Sequence, residues 1–391
     1  MTAGGLATIR GSRVLPGFLI CGFLFAMLGA LLPAWGYHIS ADYRTIGGYF
    51  ICLALGLILP TEFASVIFRK KDVSVQLVLG CALASAALIL LAFIPLSASP
   101  IWRMCGLLLI GVSGGLINSG LFAALHAAYT QDVARTVSIA GILFGLGCLG
   151  SALLVAFTFY SLSVTGLLLV FAIVPGFYAV YYYRMNIPPL KIEAQPSVAR
   201  ALNDFRNFGS VAFALLLFFQ FGNEWAIAGW LPIFLIGQLG ISPKTSILML
   251  AVYWTALLVG RVAVFAILRR VSHIRLLVGS ASGAAFGCIL LFFTNNLFGA
   301  TFAILLTGFS FAAIYPLVAE KIGRRFNYYH PALFNGIFSF AMVGGLLAPG
   351  TLGLFADVYG IKVVAGLPLV GTCTVVLLVL LIWLEAKVTG R

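Results

Sequence analysis

Residues 184–206 read RMNIPPLKIEAQPSVARALNDFR. Three prolines, Pro188, Pro189 and Pro196, alternate there with Arg184, Lys191, Glu193, Arg200, Asp204 and Arg206. Backbone of this kind cannot satisfy its own hydrogen bonds inside hydrocarbon, so the segment must run in water. On either side the composition changes. Apolar runs of around twenty residues recur, each long enough as a helix to cross ~30 Å of hydrocarbon. Towards the N-terminus the runs fall at about 14–38, 46–68, 73–95, 101–126, 134–158 and 163–183. Towards the C-terminus they fall at about 209–238, 245–268, 274–294, 298–320, 332–356 and 361–384. The polar interval therefore divides the chain into two sets of six spans. The expected fold is all-α: a polytopic membrane protein with twelve transmembrane helices in two pseudo-symmetric six-helix bundles. The bundles are expected over residues 1–185 and 207–391, with residues 186–206 as a cytoplasmic linker.

Composition agrees. Of 391 residues, 62% are hydrophobic and 8% charged, against roughly 25% charged in a water-soluble domain. The short alternating segments of a membrane β-barrel are missing. The net charge of +13 is spread over short clusters between spans, which argues against a nucleic-acid partner and for an orientation signal. Eighteen of the 23 Lys and Arg residues fall on the side that holds both termini; Arg44, Arg103, Lys244 and Lys362 fall on the other. Both termini are expected in the cytoplasm, with the spans in a bacterial inner membrane. The run after Arg10 and Arg13 exceeds signal-peptide length and lacks an A-x-A site, so it reads as a retained first span. The seven cysteines are dispersed within apolar spans and form no metal pattern. No cofactor or metal is expected.

Few charges lie inside the spans. Glu224 is one of them, in a run otherwise fit for lipid, FFQFGNEWAIAGWLPIFL at 218–235. A carboxylate at mid-membrane costs a few kcal/mol, so it should face a cavity and have a partner; it is also a candidate proton carrier. On a helix Gln220, Asn223 and Glu224 share a face, and Trp230 returns to it two turns after Asn223. Amides, a carboxylate and an indole suit a polyhydroxylated ligand, while a polar cluster that merely holds helices together is the alternative. Gly229 and Pro232 suggest a hinge in the same helix. Glu62, close to Arg69 and the cytoplasmic surface, reads as a structural or gating group and alternatively as a proton-coupling one. Asn118, Phe122 and His126 form a stripe in the fourth span. Asn118 and Phe122 are ligand candidates, and His126 is either interfacial or a coupling group. Tyr315, just before Pro316, and Asn335 could close a cavity from the cytoplasmic side or serve as half-buried anchors. Trp35, Tyr37 and His38 at one end, and Tyr181, Tyr182 and Tyr183 at the other, read as aromatic belts.

Arg261 is the basic residue deep in a span. The segment GRVAVFAILRRVSHIRLL, 260–277, resembles the major facilitator signature spanning the eighth and ninth helices. The resemblance implies that Arg261 and Arg270, with Arg69 in the first half's version, latch the cytoplasmic side. Arg269 stands where the loop acid is usual, so the latch would draw on other acids such as Glu320. Two six-span halves with a longer connector match the same superfamily. FGNEWAIAGWLPIFL at 221–235, GGLINSGLFA at 114–123 and GFSFAAIYPLVAE at 308–320 resemble the seventh, fourth and tenth helices of its fucose-permease-like branch. That resemblance implies secondary transport, often of a sugar with a proton or sodium ion.

The leading expectation is thus a monomeric transporter of a small polar solute, a sugar or sugar derivative, working as a symporter by alternating access. An exporter of amphipathic compounds is the runner-up, and a non-transporting sensor of transporter fold stands in another class. An intramembrane enzyme lacks support, because His38, His126, His273 and His330 are dispersed and no HExxH or Ser-His-Asp set occurs. There is no Walker A sequence, so direct ATP drive is unsupported as well.

Overall fold

The computed structural model describes residues 14–40, 42–67, 73–129, 133–185, 208–267, 270–325 and 331–388. The linker, with Arg69, lies outside the described residues. The helices are α1 Gly17–Ala34, α2 Tyr43–Ile67, α3 Val73–Ala92, α4 Pro100–Tyr129, α5 Val133–Thr158 and α6 Val164–Arg184. They continue with α7 Phe208–Leu239, α8 Pro243–Ile267, α9 His273–Phe293, α10 Leu297–Arg325, α11 Pro331–Tyr359 and α12 Val363–Val388. Among the described residues these twelve are long and apolar enough to cross a membrane.

Helix ends follow from local chemistry. Backbone N–H groups at a helix start have no partner within the helix, and short polar side chains supply one. Asp42 accepts from Thr45 N–H at 3.0 Å before α2, and Ser163 accepts from Gly166 N–H at 3.1 Å before α6. Ser242 does the same for Thr245 before α8 at 3.2 Å, and Asn296 for Gly299 in α10 at 2.7 Å. Beyond the last turns of α1 and α7, Gly36 (φ 82°) and Gly240 (φ 64°) adopt the left-handed conformation that ends a helix.

The helices form two compact units, residues 1–40 with 48–194 and residues 41–47 with 195–391. In the first, α1 packs on α4, α5 and α6, while α3 packs on α4 and α6. In the second, α7 packs on α8, α10, α11 and α12, while α9 packs on α10 and α12. The packing of the first unit is repeated in the second, with α7 in the place of α1, and glycines show why. A β-carbon on Gly22 of α1 would lie 1.9 Å from the Phe144 carbonyl oxygen of α5. One on Gly344 of α11 would lie 2.2 Å from the Phe218 carbonyl oxygen of α7. Likewise Gly56 of α2 meets Gly111 of α4, and Gly260 of α8 meets Phe309 and Ala312 of α10. Lipid tails are as apolar as leucine, so association within a bilayer rests on such close backbone approach.

One cluster departs from expectation. Trp35 and Tyr37 are buried rather than arranged as an aromatic belt, and Arg103, counted with an outer loop, is buried inside α4. The Arg103 guanidinium donates to the Pro95 and Leu96 carbonyls just past α3, at 3.2 and 2.6 Å. It also reaches the Tyr37 and Tyr49 hydroxyls at 3.3 and 3.4 Å and lies 5.8 Å from the Trp35 ring. Desolvation of a cation is offset here by a planar fork of donors meeting carbonyls and hydroxyls. The group thereby ties the ends of α1 and α3 to α2 and α4. Arg103→Gln is expected to lower unfolding stability in detergent by about 2 kcal/mol; an unchanged melting temperature would rule out this role. At the other end, Tyr182 is fully buried and its hydroxyl donates to the Val14 carbonyl at 3.4 Å. Tyr183 is exposed, as a belt residue should be.

Candidate functional site

The second unit is built around α7, and the polar residues of that helix point in different directions. Glu224 faces α8, where its Oε1 lies 3.6 Å from Nη2 of Arg261. The glutamate side chain is 6% exposed and the arginine side chain 18%. Tyr253 of α8 donates its hydroxyl to the Glu224 backbone carbonyl at 3.2 Å, fixing the two helices at that level. Asn223 faces α12, close to Gly371, where a β-carbon would stand 2.0 Å from its Oδ1. Its Nδ2 is buried without a hydrogen-bond partner among the described residues, and so are both amide atoms of Gln220.

Such groups are expensive. A buried polar atom left unpaired costs about 1–3 kcal/mol, and folded proteins retain few of them. At 3.6 Å the ion pair is longer than a charge-assisted hydrogen bond. A buried pair with that geometry recovers little of its desolvation cost. The cluster is a weak structural joint, with capacity to accept further hydrogen-bonding groups.

Trp230 does not belong to the cluster. Its indole is fully buried and donates to the Pro349 carbonyl of α11 at 2.8 Å, with its ring 6.2 Å from that of Tyr43. Seven residues do return nearly to the same side of a helix, but packed helices cross at an angle. One side of α7 therefore meets α12 at the level of Asn223 and α11 two turns later. Trp230 anchors α7 to α11. Next in sequence to Glu224 and Tyr253 stand two indoles that spacing did not single out, Trp225 of α7 and Trp254 of α8, with ring centres 5.9 Å apart. The Trp254 side chain is 1% exposed and its N–H has no partner among the described residues. One signal was available in sequence, since Trp254 precedes Arg261 by seven residues; in this case both positions do meet α7.

Tyr315 of α10 packs with its ring tilted against that of Phe221 of α7, centres 5.3 Å apart. Helix α7 runs unbroken through Pro232. In the first unit Asn118 is half-buried, and Phe122 is exposed with its ring edge-on to Phe18 at 5.4 Å. The side chains of Glu62, His126 and Asn335 lie outside the described residues. Arg270 is exposed in the turn between α8 and α9. Glu320, the acid expected to complete a latch with the signature's arginines, is paired with His273 at the start of α9. Arg261 is engaged with Glu224.

The fold and its in-span charges define a polytopic membrane protein of transporter architecture, and comparison with known proteins makes the class definite. The family model of the Major Facilitator Superfamily matches residues 114–349, more than half of the chain. The chain belongs to the Major Facilitator Superfamily. An uncharacterised MFS-type transporter of Yersinia pestis is 22% identical over 352 residues, covering 89% of each protein. Among solved structures, a single-substitution mutant of the nucleoside transporter NupG superposes with a TM-score of 0.72 at 15% identity, over 95% of this chain and 99% of that one. FucP in its outward conformation gives 0.64 at 14% identity, over 96% and 99%. A point mutant of FucP, the Escherichia coli fucose:proton symporter, gives 0.62 at 15%, over 95% and 99%. At these identities the structures share the fold.

Proposed function

We propose that the chain is a monomeric secondary active transporter that carries a small polar solute, a sugar or sugar derivative, across a bacterial inner membrane. It works by alternating access, with both termini in the cytoplasm and a proton as the coupling ion. The observation that carries this reading is the Glu224–Arg261 pair, two opposite charges inside spans, loosely joined and accompanied by unpaired amides. Buried charges of this kind are retained for function more readily than for stability. Gln220 and Asn223 supply hydrogen bonds, Glu224 exchanges the proton, and Tyr315 contributes an aromatic edge. Asn118 and Phe122 are the first unit's contributors, and Asn335 and Glu62 complete the proposed set. Arg261, Arg69 and Arg270 serve gating. The structural relatives carry nucleosides and, with protons, fucose, which favours a sugar-like solute and proton coupling.

The test is flux. The purified protein is reconstituted in proteoliposomes, and solutes found by thermal shift among sugars, amino acids and lipophilic cations are assayed under an imposed pH gradient. Uptake of a polar solute driven by an inward proton gradient is expected. Glu224→Gln should cut it at least about tenfold, the equivalent of ~1.4 kcal/mol, or make it independent of pH. Wild-type rates and pH profile in that variant would remove Glu224 from the mechanism. Outward movement of lipophilic cations would favour the exporter, and binding without flux the sensor.

A further inference from the structure

The site has a chemical bias that goes beyond a polar solute. We infer that the transported solute carries a carboxylate or comparable oxyanion, bound by Arg261 with the Trp254 indole N–H as a neighbouring donor. This rests on the reading of Glu224 as part of the binding site, and it gives its partner Arg261 a binding role besides gating.

Three observations carry it. The first is the asymmetry of the pair: Arg261 is three times as exposed as Glu224, 18% against 6%, so the cation is the half a ligand reaches more easily. The second is the orphaned indole. An indole nitrogen can only donate, so the buried Trp254 N–H, without a partner among the described residues, calls for an acceptor and nothing else. The third is register. Trp254 and Arg261 lie seven residues apart on α8, two turns along one side, and both are engaged by adjacent residues of α7, Trp225 and Glu224. A cation and a fixed donor along one helix face make a receptor for an acceptor-rich group. A neutral hydroxyl would leave the guanidinium poorly matched, whereas a carboxylate meets its planar fork.

Glu224 is then the internal competitor for the guanidinium. Arg261 is the charge that acts on Glu224, and Tyr253 of α8 touches its backbone carbonyl; Tyr315 of α10 packs on Phe221, three residues before Glu224 on α7. Without solute, the carboxylate balances the guanidinium. When a solute carboxylate takes its place, a proton from water on Glu224 keeps the site neutral: one cation and one anion before, one cation and one anion after. Solute and proton thus enter together, and an unprotonated Glu224 opposes the anion.

The experiment measures binding of D-glucuronate and D-glucose, which differ at the carbon-6 oxidation level, to the full-length protein by isothermal titration and tryptophan fluorescence. In wild type, glucuronate is expected to bind at least tenfold more tightly than glucose, and more tightly at pH 6 than at pH 8. Glu224→Gln should retain glucuronate binding without that pH dependence. Trp254→Phe should weaken glucuronate about tenfold with little effect on glucose. Arg261→Gln should abolish the preference; because it strands a buried acid, the double variant Glu224→Gln with Arg261→Gln, which removes both charges of the pair, is the control and should show none either. Equal binding of both sugars, with sensitivity to Glu224→Gln, would overturn the anion while leaving the site in place. A glucuronate preference that survives in the double variant would overturn it too, as would binding of neither compound. Insensitivity of every bound solute to all four variants would remove the site itself.

Discussion

Arg261→Gln should be among the most damaging single substitutions in the protein, lowering its unfolding free energy by about 3 kcal/mol. The cause lies with the residue left behind. Glu224 is enclosed by α7 and its neighbours, and Arg261 is the charge that meets it. With the guanidinium removed, the carboxylate must either stay ionised in an apolar interior or take up a proton, and both raise the free energy of the folded state. The companion result is more diagnostic. Glu224→Gln in the same chain removes the stranded acid, and the double variant should return to within about 1 kcal/mol of wild type, since a poorly matched buried pair contributes little net stability. Thermal or denaturant unfolding in detergent, read by far-UV circular dichroism, completes the cycle. If the double variant is as unstable as Arg261→Gln alone, the pair is structural cement and its proposed place in transport falls.

The second large effect concerns a glycine. Gly147→Ala in α5 places a β-carbon 1.9 Å from the Leu19 carbonyl oxygen and 2.8 Å from the Phe23 nitrogen of α1, where both opposing atoms are backbone. No rotamer change relieves that overlap, so the helices must separate and forfeit the packing that holds them. A loss of about 3 kcal/mol is expected. Gly150, nearly one turn further along α5, provides the comparison: a β-carbon there meets nothing within 4 Å. Gly150→Ala should therefore gain up to about 1 kcal/mol from helix propensity alone. Equal responses at the two positions would show that the α1–α5 crossing does not depend on close backbone contact.

These expectations separate what was legible in sequence from what was not. The spans were legible because hydrocarbon offers a backbone no partner, so each apolar run has to be a helix. The seventh run, placed at about 209–238, forms Phe208–Leu239 for that reason. Glu224 and Arg261 stood out because charges inside apolar runs are rare. Their pairing could not be read, since a helical period tells which residues share a face and not which helix that face meets. Trp230 was misplaced for a related cause: it lies seven residues from Asn223, yet the one meets α11 and the other α12. Arg103 sits so near the start of its span that charge counting gave it to a loop, although carbonyls and tyrosine hydroxyls inside the first unit hold it buried.

Sequence by itself determined twelve membrane-spanning helices in two sets of six, the polar segment between the sets, and the short list of charges that a bilayer would not tolerate without a purpose. Tertiary structure alone decided that Glu224 answers to Arg261, that the Trp254 donor is buried without a partner among the described residues, and that glycines set which helices touch. The physical reason is range. Hydrogen bonding along a helix and the aversion of charge to hydrocarbon act within one segment, whereas pairing, burial and close approach depend on atoms that only packing brings together.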